Sequence, residues 1–121
     1  MPLRCIIIDD YQPFVRVARA NLERQGMVVV GVAVNGAEAL RQARELHPDV
    51  ALVDISLGVE SGFDVAREIS PHVGSVILIS SNDHYADDDY AEVIEGSPAV
   101  GFLSKVTLSA DAIIRLVPSR P

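Results

Sequence analysis

The chain is punctuated by five short apolar runs, each followed by a stretch of helical periodicity. The runs are Cys5-Ile6-Ile7-Ile8, Val28-Val29-Val30, Val50-Ala51-Leu52-Val53, Val76-Ile77-Leu78-Ile79 and Val100-Gly101-Phe102-Leu103. Successive side chains on a strand point to opposite faces, so a run apolar at every position predicts a strand buried on both sides. Between the runs the period changes. Phe14, Ala18 and Leu22, with Val15 beside them, form one stripe of a helix that Gly26 closes. A second helical pattern holds Ala37, Leu40, Ala43 and Leu46 and is stopped by Pro48; a third runs from Phe63 to Ile69 and ends at Pro71. A fourth spans Tyr90 to Ile94, ended by Gly96 and Pro98. Ser109 is the expected N-cap of a fifth, with Ile113, Ile114 and Val117 as its core face and Pro118 as its stop. This alternation predicts an α/β fold with a parallel sheet covered by helices on both faces.

Length and charge narrow the class. At 121 residues there is room for one domain, expected over 1–121. The single cysteine, Cys5, excludes an internal disulfide and a cysteine-cluster metal site. The net charge of −7 argues against nucleic-acid binding, which rests on Lys and Arg meeting phosphates. No apolar run approaches the ~18 residues of a membrane span, and the first residues do not read as a signal peptide. The expected location is therefore cytoplasmic. From Glu68 to Ser104 there is no Lys or Arg but seven acids, Glu68, Asp83, Asp87, Asp88, Asp89, Glu92 and Glu95. Elsewhere the acids and bases balance. Nine of the ten bases are Arg, and Lys105 is the only lysine.

Four of the five runs end in polar residues: Asp9-Asp10, Asp54, Ser80-Ser81 and Ser104-Lys105. In an open parallel sheet all the carboxyl ends lie along one edge, where ligands bind. Taken singly, an Asp or Ser after a strand is an ordinary cap or turn residue. Together they predict three carboxylates, hydroxyls and the sole lysine converging on one crevice. Clustered carboxylates need a cation, and hard oxygen donors open to solvent suit Mg²⁺. A lysine is a compact point charge suited to a single phosphate oxygen. A carboxylate can itself be a nucleophile that becomes an aspartyl phosphate.

The segments Ile7-Ile8-Asp9-Asp10, Ala51-Leu52-Val53-Asp54-Ile55, Ser61-Gly62-Phe63, Ile77-Leu78-Ile79-Ser80-Ser81 and Gly101-Phe102-Leu103-Ser104-Lys105 occur in the order found in receiver domains. In these segments the chain resembles the receiver domain of bacterial two-component response regulators, the CheY-like family. The resemblance spans about residues 3 to 117. It implies a doubly wound five-stranded (βα)5 flavodoxin-like fold with strand order 2-1-3-4-5. It also implies that Asp54 is the phosphoacceptor and that Asp9, Asp10, Asp54 and the backbone carbonyl of Ser56 hold Mg²⁺. Lys105 and Ser80 would bind phosphoryl oxygens, with Ser80 and Phe102 as the switch pair. The implied activity is phosphoryl acceptance from a sensor histidine kinase or phosphotransfer protein, with no enzymatic turnover beyond the chain's own phosphorylation and dephosphorylation. The fourth helix, fifth strand and fifth helix would form the output surface. The acidic stretch there favours a basic protein partner and a monomer or weak dimer, with no nucleic acid and no membrane.

Two positions depart from the family pattern. Gly58 stands where such domains usually carry Pro, which predicts a looser loop around Ser56. Lys105-Val106 replaces a frequent Lys-Pro, which predicts a trans peptide and a changed loop. The interval from Ser80 to Lys105 is a few residues longer than usual, which affects the 82–90 loop. The rival readings are a pseudo-receiver acting as a phosphorylation-independent interaction module, a dehalogenase-type phosphatase and a serine hydrolase. Asp9-Asp10-Tyr11 does not fit the Asp-x-Asp of the second, and no Gly-x-Ser-x-Gly supports the third.

Overall fold

The computed structural model describes residues 2–81 and 95–118. Five parallel strands form its main sheet: β1 (Arg4–Ile8), β2 (Val28–Ala33), β3 (Val50–Asp54), β6 (Ser75–Ser80) and β7 (Gly101–Ser104), in the order β2-β1-β3-β6-β7. With the small hairpin β4 (Ser56–Leu57) and β5 (Glu60–Ser61) set aside, this is the expected order 2-1-3-4-5. The topology is the doubly wound, flavodoxin-like one expected from the sequence. The fourth helical pattern, Tyr90 to Ile94, and the 82–90 loop lie outside the described residues.

The central strands behave as their sequences dictate. Cys5 to Ile8 are fully buried, and every residue of β3 and β6 is buried. The pleat sends alternate side chains to two cores. Ile6, Ile8, Ala51, Val53, Val76 and Leu78 pack beneath α2 (Gly36–Leu46) and α3 (Gly62–Ile69). Cys5, Ile7, Leu52, Ile77 and Ile79 pack beneath α1 (Gln12–Arg24) and the last helix, Ala110–Leu116.

The edge strands correct the expectation of burial on both sides. In β2, Val28 is exposed and the middle of the strand is half-buried; in β7 every residue is half-buried. Among the described residues each has a sheet neighbour on one side only. β2 also runs three residues beyond Val30, because Gly31 breaks the apolar pattern without breaking the strand. A Cβ on Gly31 would lie 2.4 Å from Gln42 Oε1, so the missing side chain is the room that Gln42 of α2 occupies.

Local signals set the helix ends. In α1 the buried stripe is Val15, Ala18 and Leu22, with Phe14 half-buried beside it, and Gly26 takes φ +98° just past the end. The Asn35 side chain accepts from the Glu38 N–H at the start of α2. α2 stops at His47, which adopts the left-handed conformation at φ 43°, one residue before Pro48. The Arg4 guanidinium donates to the last carbonyls, those of Leu46 and His47. Ser61 caps α3 and Ser109 caps the last helix, accepting from Phe63 N–H and Ala112 N–H. Ile114 corrects the expected core face of that helix: the buried positions are Ala110 and Ile113, while Ile114 is 53% exposed. One residue further on turns a side chain about 100° around a helix, which carries Ile114 off the face set by Ile113. Val117 packs, half-buried, against the same core.

Burial fixes the chemistry of Cys5. Desolvation, with a smaller push from the Glu23 charge, raises its thiol from 9.0 to about 12. The neutral thiol is thus favoured by the fold, and its contribution to stability is present below pH 9 and lost as pH rises through about 12. At pH 8 a thiol reagent should leave the native protein unmodified and titrate one thiol once denaturant unfolds it. Rapid labelling of native protein would contradict the burial.

Candidate functional site

The sheet delivers its polar residues to one edge. Asp9 follows β1, and its N–H donates to Ala33 O of β2 at 2.9 Å, so the ladder extends one residue into the site. Asp54 is the last residue of β3 and pairs with Ile79, one before Ser80. Ser80 pairs with Ser104, and Lys105 comes next. Four strands in register therefore place Asp9, Asp54, Ser80 and Lys105 side by side.

Lys105 is the centre of the charge arrangement. Its Nζ lies 2.6 Å from Asp9 Oδ2 and 3.3 Å from Asp54 Oδ2. The Asp9 side chain has no solvent exposure and that of Lys105 only 12%. The contact to Asp9 Oδ2 is an ion pair off the hydrogen-bond direction, so that oxygen has charge compensation without an aligned hydrogen bond. The other carboxylate oxygens are tied to backbone. Asp9 Oδ1 accepts from Tyr11 N–H at 2.9 Å, and Asp54 Oδ1 from Ser56 N–H at 3.2 Å. Asp54 is raised above the usual carboxylate range, first by burial and then by the Asp9 charge, against the opposing pull of Lys105 and the Ser56 N–H. Asp10 is exposed, yet one oxygen from each of Asp9, Asp10 and Asp54 falls within 4.8 Å of the others. Three carboxylate oxygens this close form a donor set that suits a hard divalent cation.

The hairpin after β3 was not foreseen, and it corrects the expectation of a loose loop. Ser56 pairs with Ser61 and Leu57 with Glu60, leaving a two-residue turn of Gly58 and Val59. Gly58 takes φ +60° and Val59 does not have a positive φ. Glycine at the first turn position is what a tight two-residue hairpin demands, and proline cannot adopt that φ. Leu57 is buried in the core, so the turn is anchored. The peptide after Lys105 is trans, as expected, and Lys105–Thr107 forms a single 3-10 turn whose second N–H, that of Val106, donates to Ser104 Oγ.

Ser80 is buried at the end of β6, and Phe102 lies half-buried in β7 against the core beneath α2 and α3. Both stand where the sequence puts them. Sequence reasoning missed the apolar lining of the crevice. The Lys105 ammonium sits 4.5 Å from the centroid of the Phe14 ring, a cation–π contact, whereas Phe14 was expected only in the helix stripe. Its position four residues after Asp10, on the first turn of α1, was the available signal. Tyr11, Phe14, Asp54, Ser81, Lys105 and Val106 line a cleft of about 570 Å³.

Parallel strands in this order with an acidic cluster and a lysine at the carboxyl edge define a receiver domain, and comparison with known proteins agrees. Residues 5–117 match the response regulator receiver domain family, and the chain belongs to it. It is 36% identical over 114 residues to the transcriptional regulatory protein LnrK of Bacillus subtilis, covering 93% of this chain and 51% of that protein. It is 36% identical over 86 residues to a protein-glutamate methylesterase/protein-glutamine glutaminase of Alkalilimnicola ehrlichii, covering 70% of this chain and 22% of that protein. The chain thus spans about half, or less, of the length of these relatives. Among solved structures it resembles the response regulator domain of Thermotoga maritima CheB, with TM-score 0.80, 27% identity and full coverage of both chains. It also resembles the receiver domain of a modulated diguanylate cyclase from Desulfovibrio desulfuricans G20, with TM-score 0.78, 31% identity and coverage of 97% and 91%.

Gly62 ties α3 to the site. A Cβ there would lie 2.0 Å from the Asp54 carbonyl oxygen and 2.7 Å from Ile55 Cα, both backbone atoms. Gly62→Ala must therefore push α3 away from the end of β3. Overpacking of this kind costs ~1–3 kcal/mol, and the urea midpoint should fall accordingly. An unchanged midpoint would contradict the close approach.

Proposed function

We propose that this chain is a single receiver domain that accepts a phosphoryl group on Asp54 from a sensor histidine kinase or a phosphotransfer protein. The observation that carries this reading is the placement of the one lysine between two buried carboxylates, with a third carboxylate within reach of both. Asp9, Asp10 and Asp54, with the Ser56 backbone carbonyl, would hold Mg²⁺. The bound ion would neutralise charge on the phosphoryl oxygens.

The chain's own residues account for the rest of the transfer. The cleft of about 570 Å³ beside Asp54 has room for a phosphorylated imidazole, with Phe14 and Tyr11 offering apolar walls. An Asp54 carboxylate oxygen forms the new bond to phosphorus while the phosphorus–nitrogen bond of the donor breaks, leaving its electron pair on nitrogen. The backbone N–H of Ser56 holds the other Asp54 oxygen and so orients the nucleophile. The Lys105 ammonium, 3.3 Å from Asp54, meets the charge that arrives with the group. Ser80, at the end of the adjoining strand, is the hydroxyl suited to a second phosphoryl oxygen. Phe102 would respond to that movement as the steric half of the switch.

The output would be protein binding. The acidic stretch from Glu68 to Glu95 favours a basic partner, and the net charge of −7 disfavours nucleic-acid contact by this chain. A monomer or weak dimer fits the same charge. No helix among the described residues is long and apolar enough to cross a membrane; a cytoplasmic location is part of the proposal. No catalysis is proposed beyond the chain's own phosphorylation and dephosphorylation.

Incubation with acetyl phosphate and Mg²⁺, followed by intact-mass measurement, should show one added phosphoryl group on wild type and none on Asp54→Asn. Equal labelling of that variant would overturn the acceptor assignment. Failure of wild type to gain mass with either acetyl phosphate or a phosphorylated donor would favour a phosphorylation-independent interaction module.

A further inference from the structure

The carboxylate of Glu60 has no part in the site described above, yet it is held in place. It sits on β5, at the end of the Gly58–Val59 turn, and its Oε1 accepts from the Gly36 N–H at 3.0 Å. Gly36 is the first residue of α2, where the backbone N–H groups have no partner within the helix. Asn35 takes the Glu38 N–H, and Glu60 reaches in from another part of the chain to take that of Gly36. Gly36 is shaped for this contact. A Cβ on it would lie 2.5 Å from Glu60 Oε2 and 3.1 Å from Val65 Cγ2. The same hairpin faces the acidic cluster on its other side, since a Cβ on Gly58 would lie 3.6 Å from Asp10 Oδ2.

We infer that Glu60 is a positioning residue: by clamping the hairpin to the start of α2, it fixes Ser56 and Gly58 relative to Asp10 and so sets the affinity for a divalent cation. The inference rests on the metal-site reading above and extends it to a residue outside the cluster. The mechanical path is short. Glu60 pairs with Leu57 across the hairpin, Leu57 directly follows Ser56, and Ser56 pairs with Ser61. With two residues per strand, the hairpin has few bonds of its own to resist a shift. Leu57 anchors it from the core side and Glu60 from the α2 side. The clamp supplies the restraint on this loop that a rigid proline turn would otherwise give, and it leaves Gly58 free to hold its positive φ.

The test uses the whole chain and Mg²⁺ alone, with binding measured by calorimetry and Gly36 amide hydrogen exchange measured without metal. Groups bonded directly to a metal's ligands are typically worth ~10–100-fold in affinity; Glu60 acts one step further out, so Glu60→Ala should weaken Mg²⁺ binding by about threefold to tenfold, at or below the low end of that range, and speed exchange at Gly36. Glu60→Gln keeps an acceptor oxygen without the charge and should stay close to wild type in both readouts. Gly36→Ala, whose Cβ displaces the carboxylate without removing it, should reproduce the loss seen in Glu60→Ala. Wild-type affinity in Glu60→Ala would overturn the clamp while leaving the metal site intact. Equal weakening in Glu60→Gln and Glu60→Ala would also overturn it, because the effect would then be the field of a charge. Absence of Mg²⁺ binding by wild type itself would overturn the metal-site reading, and the positioning role with it.

Discussion

One lysine between two buried carboxylates is the interaction on which the rest of this site depends. Asp9 is wholly removed from water, and an ionised carboxylate in such a place is costly unless a cation accompanies it. Lys105 supplies that cation at 2.6 Å and reaches Asp54 at 3.3 Å with the same ammonium group. A compact ammonium shared by two acids would suit the proposed arrival of a phosphoryl group, because a point charge can bond a single new oxygen without a bidentate partner. An arginine would bring a planar fork that needs a bidentate partner, and its bulk would compete with the Phe14 ring for the same wall.

The sheet makes that juxtaposition rigid. Asp54 ends a strand buried along its whole length, and Asp9 follows another whose last four residues have no exposure. Strands of this kind cannot slip by one residue without turning a core side chain into the opposite core. The acids are thereby fixed in register by apolar residues that take no part in the chemistry. The remaining site groups are carried just beyond the sheet, Ser56 on the hairpin anchored by Leu57 and Lys105 on a 3-10 turn. Gly62 marks the boundary, where α3 approaches the Asp54 backbone so closely that only glycine fits.

What could be read from the sequence follows the same division. The runs around Ile7, Leu52 and Leu78 gave away β1, β3 and β6, because burial on both faces leaves a continuous apolar signature. The edge strands were placed less well: Gly31 hid the second half of β2, and β7 runs one residue later than its apolar run. Ile114 was misplaced because three apolar residues near one another do not reveal which of them a helix turns inward. The acids, Ser80 and Lys105 were legible as a group because strand ends in a parallel sheet share an edge. That Asp9 would be buried and Asp10 exposed was not legible, since adjacent identical residues carry no information about which one faces the core. The hairpin leaves little mark on the sequence: two residues per strand give no periodicity, and its trace is Gly58.

Lys105 compensates Asp9 and Asp54 while no divalent cation is bound. Thermal melting of Lys105→Met against wild type, with and without Mg²⁺, tests it most directly. Without metal the variant should be less stable by ~3 kcal/mol or more, the cost of stranding a buried charge. Mg²⁺ should then raise the melting temperature of the variant by more than that of wild type, because binding no longer competes with the ammonium. Equal melting temperatures without metal, or a smaller Mg²⁺ response in the variant, would contradict the account.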